Sequence, residues 1–136
     1  MYLRHHFLSC VILTILLFPF FSYLSFLVFI FGFFIDVDHY IYDAIKSKDL
    51  NLKNSYYRHM DKNLERKNQL HIFHTIEFVL LVFIILIYSK SIIISIISLG
   101  LILHLLLDFI YHFYLIKNNI EMKQTRSYSL ISFLNI

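Results

Sequence analysis

Long apolar stretches dominate the pattern of hydrophobic and polar positions along the chain. The first runs from Phe7 to Ile35 without a charged residue, and two more run from His71 to Tyr88 and from Ile92 to Ile116. About 20 consecutive apolar residues are enough to cross a bilayer as a helix. One long polar stretch, 36–70, and a mixed tail, 117–136, complete the chain. The pattern predicts an all-α, integral-membrane helical bundle.

The first stretch contains Pro19 near its middle. Proline inside a helix removes a hydrogen bond and clashes with the preceding turn, so residues 1–35 form either one kinked span or a hairpin of two short helices. Each arm of a hairpin would be roughly 20 Å long at 1.5 Å per residue. We predict the short N-terminal hairpin, then a cytoplasmic polar loop and two transmembrane helices, in one membrane domain, 1–136. The apolar stretch is too long for a signal-peptide core, so we expect it to be retained.

The amino-acid composition agrees with a bilayer environment and limits the classes of binding partner. Hydrophobic residues make up 59% of the 136 residues and charged residues 15%, and the mean hydropathy is +0.69, far from an average soluble domain. Cys10 is the only cysteine, which excludes an internal disulfide and a thiolate zinc site. The net charge of +3, without a basic tract interleaved with aromatics, argues against a nucleic-acid partner. Membrane lipid is the predicted partner, with a lipid-like substrate and a homo-oligomer as open alternatives.

The distribution of basic residues predicts the orientation in the membrane. Basic residues concentrate on the cytoplasmic side of membrane proteins, so the polar stretch 36–70 and the tail 117–136 are expected inside and Lys90 outside. The polar stretch is either a solvated helix and loop or a contact with lipid phosphates. The residues expected inside are Lys46, Lys48, Lys53, Arg58, Lys62, Arg66, Lys67, Lys117, Lys123 and Arg126.

Candidate chemistry begins where the first apolar stretch ends. Asp36, Asp38 and His39 stand together in "DVDHY", and alternating carboxylates followed by an imidazole are poorly suited to hydrocarbon. They either end a helix and face water or belong to a functional cluster. The N-terminal histidines His5 and His6 would join such a cluster only if the first stretch is a hairpin.

The last apolar stretch carries a second polar group in "HLLLDFIYH". His104, Asp108 and His112 have i, i+4, i+8 spacing, which places them on one stripe of a helix. An aspartate inside a membrane helix is costly and suggests a function by default. The alternative is a buried histidine–aspartate pair that only holds helices together.

A third group opens the middle stretch in "HIFHTIE". His71, His74 and Glu77 follow a three-residue step and would share one broad helix face. His71 is either an interfacial residue or part of a site, whereas His74 lies a turn deeper. Glu77 is deeper still and could steady a ligand histidine, as carboxylates around metal sites do.

The predicted topology brings these three groups to one depth near the cytoplasmic side, which predicts a single metal centre. Imidazoles and carboxylates without thiolates suit zinc first, and also manganese or iron. Zinc with an open position lowers the pKa of bound water to ~7 and supplies hydroxide. His39 is expected to be either a ligand or a general base. The predicted metal ligands are His5, His6, Asp36, Asp38, His39, His74, His104 and Asp108, and the predicted catalytic residues are His39 and Glu77.

The order of these motifs resembles the YdjM-like family. Its members are described as LexA-binding or inner-membrane-associated and as membrane-bound metal-dependent hydrolases. The resemblance therefore implies a hydrolase of the bacterial inner membrane and extends to about His112. The set of ligand types is also similar to that of zinc-dependent phospholipase C. The matching residues are His5 or His6, Asp36, Asp38 and His39 in "DVDH", His74 with Thr75, and His104 with Asp108 in "HLLLD".

Two positions depart from the family pattern. Ile35 stands where the family usually has a proline before its first aspartate. "QLHIFHTIE" replaces the usual H-R-x-x-T-H-S pattern, so that His71 precedes His74 by three residues with no arginine between them.

Three functions fit these patterns. The first is a metal-dependent hydrolase in which activated water attacks an ester or phosphoester, for instance of a lipid. The second is a non-catalytic membrane protein with a structural or regulatory metal site that serves a partner protein. The third, haem binding by paired histidines, is disfavoured because haem has no use for the D-x-D motif.

Overall fold

The structure is a computed structural model that describes residues 3–61, 64, 66–118 and 124–134, with backbone alone at 66–68 and 124–126. Lys62 and Lys123, both predicted on the inside, lie outside the described residues, as do the side chains of Arg66, Lys67 and Arg126. Within these ranges the prediction of an all-α fold is confirmed. The helices are α1 Leu3–Phe21, α2 Phe26–Phe33, α3 Val37–Ser47, α4 Leu52–Met60, α5 Ile76–Ser89, α6 Ile92–Lys117 and α7 Leu130–Leu134.

Short elements connect these helices. Tight 3-10 turns occupy Ser22–Ser25, Phe34–Asp36 and Ile72–His74. Two short strands, β1 Arg66–Leu70 and β2 Gln124–Ser127, pair in parallel, with Leu70 opposite Ser127.

Two helical segments are long and apolar enough to cross a membrane. They are the continuous stretch Leu3–Ser47, of 45 residues, and the 26-residue α6. Only 17% and 28% of their most apolar windows are buried within the chain. The third apolar helix, α5, has 14 residues and begins at Ile76, five residues after the predicted start of its span at His71.

The chain divides into two compact units. The first unit consists of Met1–Ile35 with Leu81–Asn119, and the second of Asp36–Leu80 with Ile120–Ile136. In the first unit α2 contacts both α1 and α6. The ring of Phe7 on α1 packs edge-on against two rings of α2, with centroids 5.6 Å from each.

The tightest packing of the first unit is between the two glycines of the chain. A Cβ on Gly32 would lie 2.8 Å from the Gly100 carbonyl oxygen and 2.9 Å from Cys10 Sγ. A Cβ on Gly100 would lie 2.5 Å from the carbonyl oxygen of Val28. The backbones of α2 and α6 are therefore in direct contact, as in membrane helices that associate through small residues.

In the second unit Arg58 joins α4 to α3. Its Nη2 lies 2.7 Å from Asp43 Oδ2, and its Nη1 lies 2.8 Å from Asp49 Oδ2. Asp43 is 3% exposed, so this carboxylate depends on the guanidinium for its charge balance. The backbone N–H of Asn51 and the side-chain amide of Asn54 also donate hydrogen bonds to Asp49.

Replacing Gly100 by alanine should weaken the contact between α2 and α6. The added methyl group meets backbone atoms that cannot rotate away, and overpacking of this kind typically costs about 1–3 kcal/mol. We expect a lower thermal unfolding midpoint by circular dichroism in detergent. The control is Leu99→Ala on the same helix, where the side chain is 42% exposed; equal midpoints for both variants would show that the glycine contact is unimportant.

The acid titration of Asp49 should depend on Arg58. The hydrogen bond from Arg58, followed by those from Asn51 and Asn54, lowers the pKa of Asp49 from 3.8 to about 2. A depressed carboxyl pKa contributes stability above its unfolded value, and that contribution is lost as the pH falls from about 3.8 towards about 2. In Arg58→Gln, carbon NMR of the Asp49 carboxyl group should show a higher pKa; titration near 3.8 in the unmodified protein would contradict the described contact.

Candidate metal centre

Three side chains of the second unit bring donor atoms together, and we call them the Asp36 cluster: Asp36, His39 and His74. Asp36 ends a 3-10 turn and His39 lies in the first turn of α3, so Asp36 Oδ1 is 3.2 Å from His39 Nε2. His74 ends the turn that precedes α5, and its Nε2 lies 3.6 Å from the same oxygen. One donor atom from each residue lies within 4.8 Å of the others.

These distances are those of ligands around one ion. Two atoms bound at 2.0–2.1 Å to a tetrahedral metal lie about 3.3 Å apart, and the centroids of two imidazoles bound to it lie about 5 Å apart. The rings of His39 and His74 have centroids 4.8 Å apart. In contrast, 3.6 Å between His74 and Asp36 is too long for a hydrogen bond. The Asp36 cluster therefore has the spacing of a metal site with two histidines and one carboxylate.

The second nitrogen of each histidine in the cluster has its own partner. His74 Nδ1 lies 3.3 Å from Asp38 Oδ2, which also accepts the N–H of Phe73 at 3.0 Å. His39 Nδ1 lies 3.1 Å from His71 Nε2. Such partners fix ring orientation and leave the opposite nitrogen for a metal.

Asp38, predicted as a ligand, therefore has another role in these contacts: it orients His74. Its second oxygen, Oδ1, is buried and accepts no hydrogen bond within the described part of the chain. Asp38 and His39 are 8% and 9% exposed and His71 is 2% exposed. A carboxylate so far from water is costly unless a cation or a proton neutralises it.

A second grouping in the same unit, Asp38 with His39 and His71, also has donor atoms within 4.8 Å of one another. Its two rings, however, have centroids 3.7 Å apart, closer than the about 5 Å of two imidazoles on one ion. We therefore interpret His71 as the residue that positions His39. His59 of α4 also contacts His39, with ring centroids 4.8 Å apart.

The first unit holds a second group, the His6 cluster: His6, His104 and Asp108. His6 Nε2 lies 3.2 Å from Asp108 Oδ1, and donor atoms of the three residues lie within 4.8 Å of one another. His104 donates its Nδ1 hydrogen to the Gly32 carbonyl oxygen at 2.8 Å. The rings of His6 and His104 are 1% and 0% exposed and stack at 4.0 Å with 15° between their planes.

Stacked rings are a poor arrangement for two ligands of one ion, whose ring centroids lie about 5 Å apart. We interpret the His6 cluster as a histidine–aspartate pair backed by His104, and the prediction that its three residues are metal ligands stays a prediction. His6 Nδ1 is buried without a hydrogen-bond partner among the described residues. The prediction that this cluster and the Asp36 cluster share one metal centre stays a prediction.

The structure also distinguishes predicted site residues by their exposure. His5 is exposed on α1 whereas His6 is buried, so His6 is the N-terminal histidine that joins a cluster. His112 continues the stripe of His104 and Asp108 but is exposed.

Glu77, predicted as catalytic, has a structural role in these contacts. Its Oε1 accepts the Ser129 hydroxyl at 2.6 Å, and its oxygens accept the N–H groups of Leu130 and Ile131 at 3.0 and 3.3 Å. The carboxylate thus fastens the start of α7 to the first turn of α5. None of these partners is a predicted metal ligand, and the prediction that Glu77 is catalytic stays a prediction.

Sequence reasoning missed several residues that build these clusters. The sequence allows His71 to be either an interfacial residue or part of a site, and it assigns no role to His59 or to the two glycines. The three-residue spacing from His71 to His74 is the one signal that could have identified His71, because it returns a side chain towards the same side of a tight turn. His59, Gly32 and Gly100 carry no such signal.

The Asp36 cluster has the composition of a catalytic metal site. Two histidines and one carboxylate are also the protein ligands in several zinc hydrolases, where they leave a coordination position open for water. The same ligand set also suits iron. Comparisons with known proteins give no further guide, because no protein-family model, no curated protein and no solved structure matches the chain.

Proposed function

We propose that this protein is an integral-membrane, metal-dependent hydrolase whose centre is the Asp36 cluster. The observation that carries the proposal is the geometry of Asp36, His39 and His74, which lie at ligand spacing while Asp38 and His71 occupy the second nitrogens of the two rings. A polar helix end that only faces water does not need two imidazoles beside one carboxylate, each oriented by its own partner.

The membrane part of the proposal rests on exposure. A core helix of a soluble protein is mostly buried, whereas at most 28% of the most apolar window is buried in either of the two long segments. The exposed side chains are large and apolar, as with Phe20 at 79% and Ile15 at 65%. Lipid acyl chains are the natural contact for such a surface.

We further propose the finer topology that the sequence suggests. Residues 1–35 would form a short hairpin, supported by the contacts of Phe7 with the rings of α2. The polar stretch 36–70 and the tail would then lie on the cytoplasmic side, as the distribution of basic residues favours. The resemblance of "DVDH" and "HLLLD" to the YdjM-like family supports a bacterial inner membrane and hydrolysis.

Zinc is the ion that we propose first, with manganese and iron as alternatives. A bound zinc ion would supply hydroxide near neutral pH. The chain itself would hold and orient the ligands: Asp38 and His71 keep the rings of His74 and His39 in place, and their burial keeps bulk water away. The proposed substrate class is an ester or phosphoester of a membrane lipid.

Metal content should depend on Asp36 and not on Glu77. Asp36→Asn keeps the size of the side chain but removes the charged ligand, so the purified protein should lose its metal by elemental analysis and lose turnover of lipid esters and phosphoesters. Asp38→Asn should weaken affinity about 10–100-fold, the usual effect of losing a supporting carboxylate. The matched control is Glu77→Gln, which should retain the metal.

Two outcomes would contradict the proposal. Full metal content in Asp36→Asn would place the metal elsewhere. A protein that binds metal through Asp36 but turns over no lipid ester or phosphoester would instead be a non-catalytic protein with a structural or regulatory site.

A further inference from the structure

Helix α3 is amphipathic in the reverse of the usual sense. Three of its four buried side chains are polar: Asp38, His39 and Asp43 are 8%, 9% and 3% exposed. Its outer side chains are apolar: Ile41 and Ile45 are 49% and 75% exposed. A helix on the surface of a soluble domain turns its apolar face inward and its charged face to water, so water is a poor match for this outer face.

The outer residues form one continuous stripe. Val37, Ile41 and Ile45 have i, i+4, i+8 spacing, which places them on the same side of the helix. The exposed apolar residues continue past the end of α3 with Leu50 and Leu52, at 77% and 68%. Single exposed apolar residues are ordinary on protein surfaces, but a stripe opposite a buried polar face is not. We call these five residues the α3 stripe.

Basic residues accompany the stripe. Lys46, Lys48 and Lys53 are all exposed and alternate along the chain with its apolar members. Apolar side chains flanked by lysines are typical of helices that lie in the interface of a membrane with anionic lipids. Long lysine side chains reach the phosphate level while their stems remain beside apolar groups.

We propose that the α3 stripe is buried in an anionic lipid leaflet, so that the Asp36 cluster receives its substrate sideways from the bilayer. Two arguments favour lipid as the occupant over a second protein. Helix α3 begins directly after the apolar helix α2 and the turn Phe34–Asp36. The lysines beside the stripe complement anionic headgroups rather than an apolar protein face.

The proposal specifies the substrate class. Because His39 and Ile41 are two residues apart, they point to opposite sides of α3. With the stripe turned towards the acyl chains, the opposite face that carries His39 lies on the headgroup side of the helix, where the ester groups of neighbouring lipids are found. The proposal about substrate class rests on the proposed hydrolase function, whereas the proposal about lipid contact does not.

Site-directed spin labelling tests the lipid contact on the full chain. Single cysteines replace Val37, Ile41 or Ile45 in protein reconstituted into vesicles of phosphatidylglycerol and phosphatidylcholine. Collision with oxygen, which concentrates in lipid, is compared with collision with a water-soluble nickel chelate. The unmodified protein is the labelling control, since Cys10 is 0% exposed; Tyr42→Cys is the matched position on the same helix, since its ring packs against His71.

We expect labels on the stripe to collide mainly with oxygen and to be shielded from the nickel chelate, and the label at position 42 to be shielded from both. Dominant collision with the nickel chelate at positions 37, 41 and 45 would mean that the stripe faces water and would overturn the proposal. Immobile labels shielded from both reagents would mean that a protein, such as a second copy, covers the stripe, and would overturn it equally.

A kinetic experiment tests the substrate class separately. Ile41→Gln with Ile45→Gln should lower turnover of long-chain lipid in vesicles at least tenfold and leave turnover of a soluble short-chain ester or phosphoester unchanged. Equal losses on both substrates would refute lateral delivery. If the unmodified protein turns over neither substrate, the proposed hydrolase function fails together with the substrate class, and the labelling result alone decides the lipid contact.

Discussion

Every buried or half-buried carboxylate in so apolar a chain needs a partner, and the kind of partner decides what each part of this structure does. An ionised carboxylate removed from water costs several kcal/mol unless charge or hydrogen bonds compensate it. In the described residues these groups meet either a permanent cation, backbone and hydroxyl donors, or histidine. The pairs are Asp43 with Arg58, Glu77 with the start of α7, Asp36 with His39 and His74, Asp38 with His74, and Asp108 with His6.

This difference in partners separates structural from chemical sites. A guanidinium is always charged, so Asp43 has a permanent counter-charge in Arg58. A neutral imidazole, unlike a guanidinium, carries no charge, so it leaves the charge of Asp36 in place. Two neutral imidazoles beside one carboxylate form a net negative site with lone pairs directed inward, and a divalent cation restores the balance. By the same reasoning Glu77, whose oxygens accept hydrogen bonds at the start of α7, has less need of a cation.

The sequence predicts the long helices and part of the candidate metal site. The rest of the structure depends on contacts between residues far apart in the sequence. The apolar stretches predict the long helices, and "DVDH" identifies Asp36 and His39. The start of α5 cannot be predicted from the sequence. "HIFHT" has a helical pattern, but the Phe73 N–H donates a hydrogen bond to Asp38 Oδ2, and this contact stabilises a tight turn instead of a helix. That turn brings His74 and His71 beside α3. The hydrophobic periodicity of the sequence does not predict this turn. The sequence alone gives Gly32 and Gly100 no structural role. In the structure they allow two helix backbones to approach closely, and this approach places His104 against Gly32.

The most direct test of the account is X-ray absorption spectroscopy of the zinc-loaded, full-length protein. The account predicts a first shell of nitrogen and oxygen near 2.0–2.1 Å, with outer-shell scattering from two imidazoles and no sulfur. In Asp36→Asn that spectrum should disappear with the metal, and in Glu77→Gln it should be unchanged. A zinc spectrum without imidazole scattering, or one that survives in Asp36→Asn, would contradict the assignment of Asp36, His39 and His74 as the metal ligands.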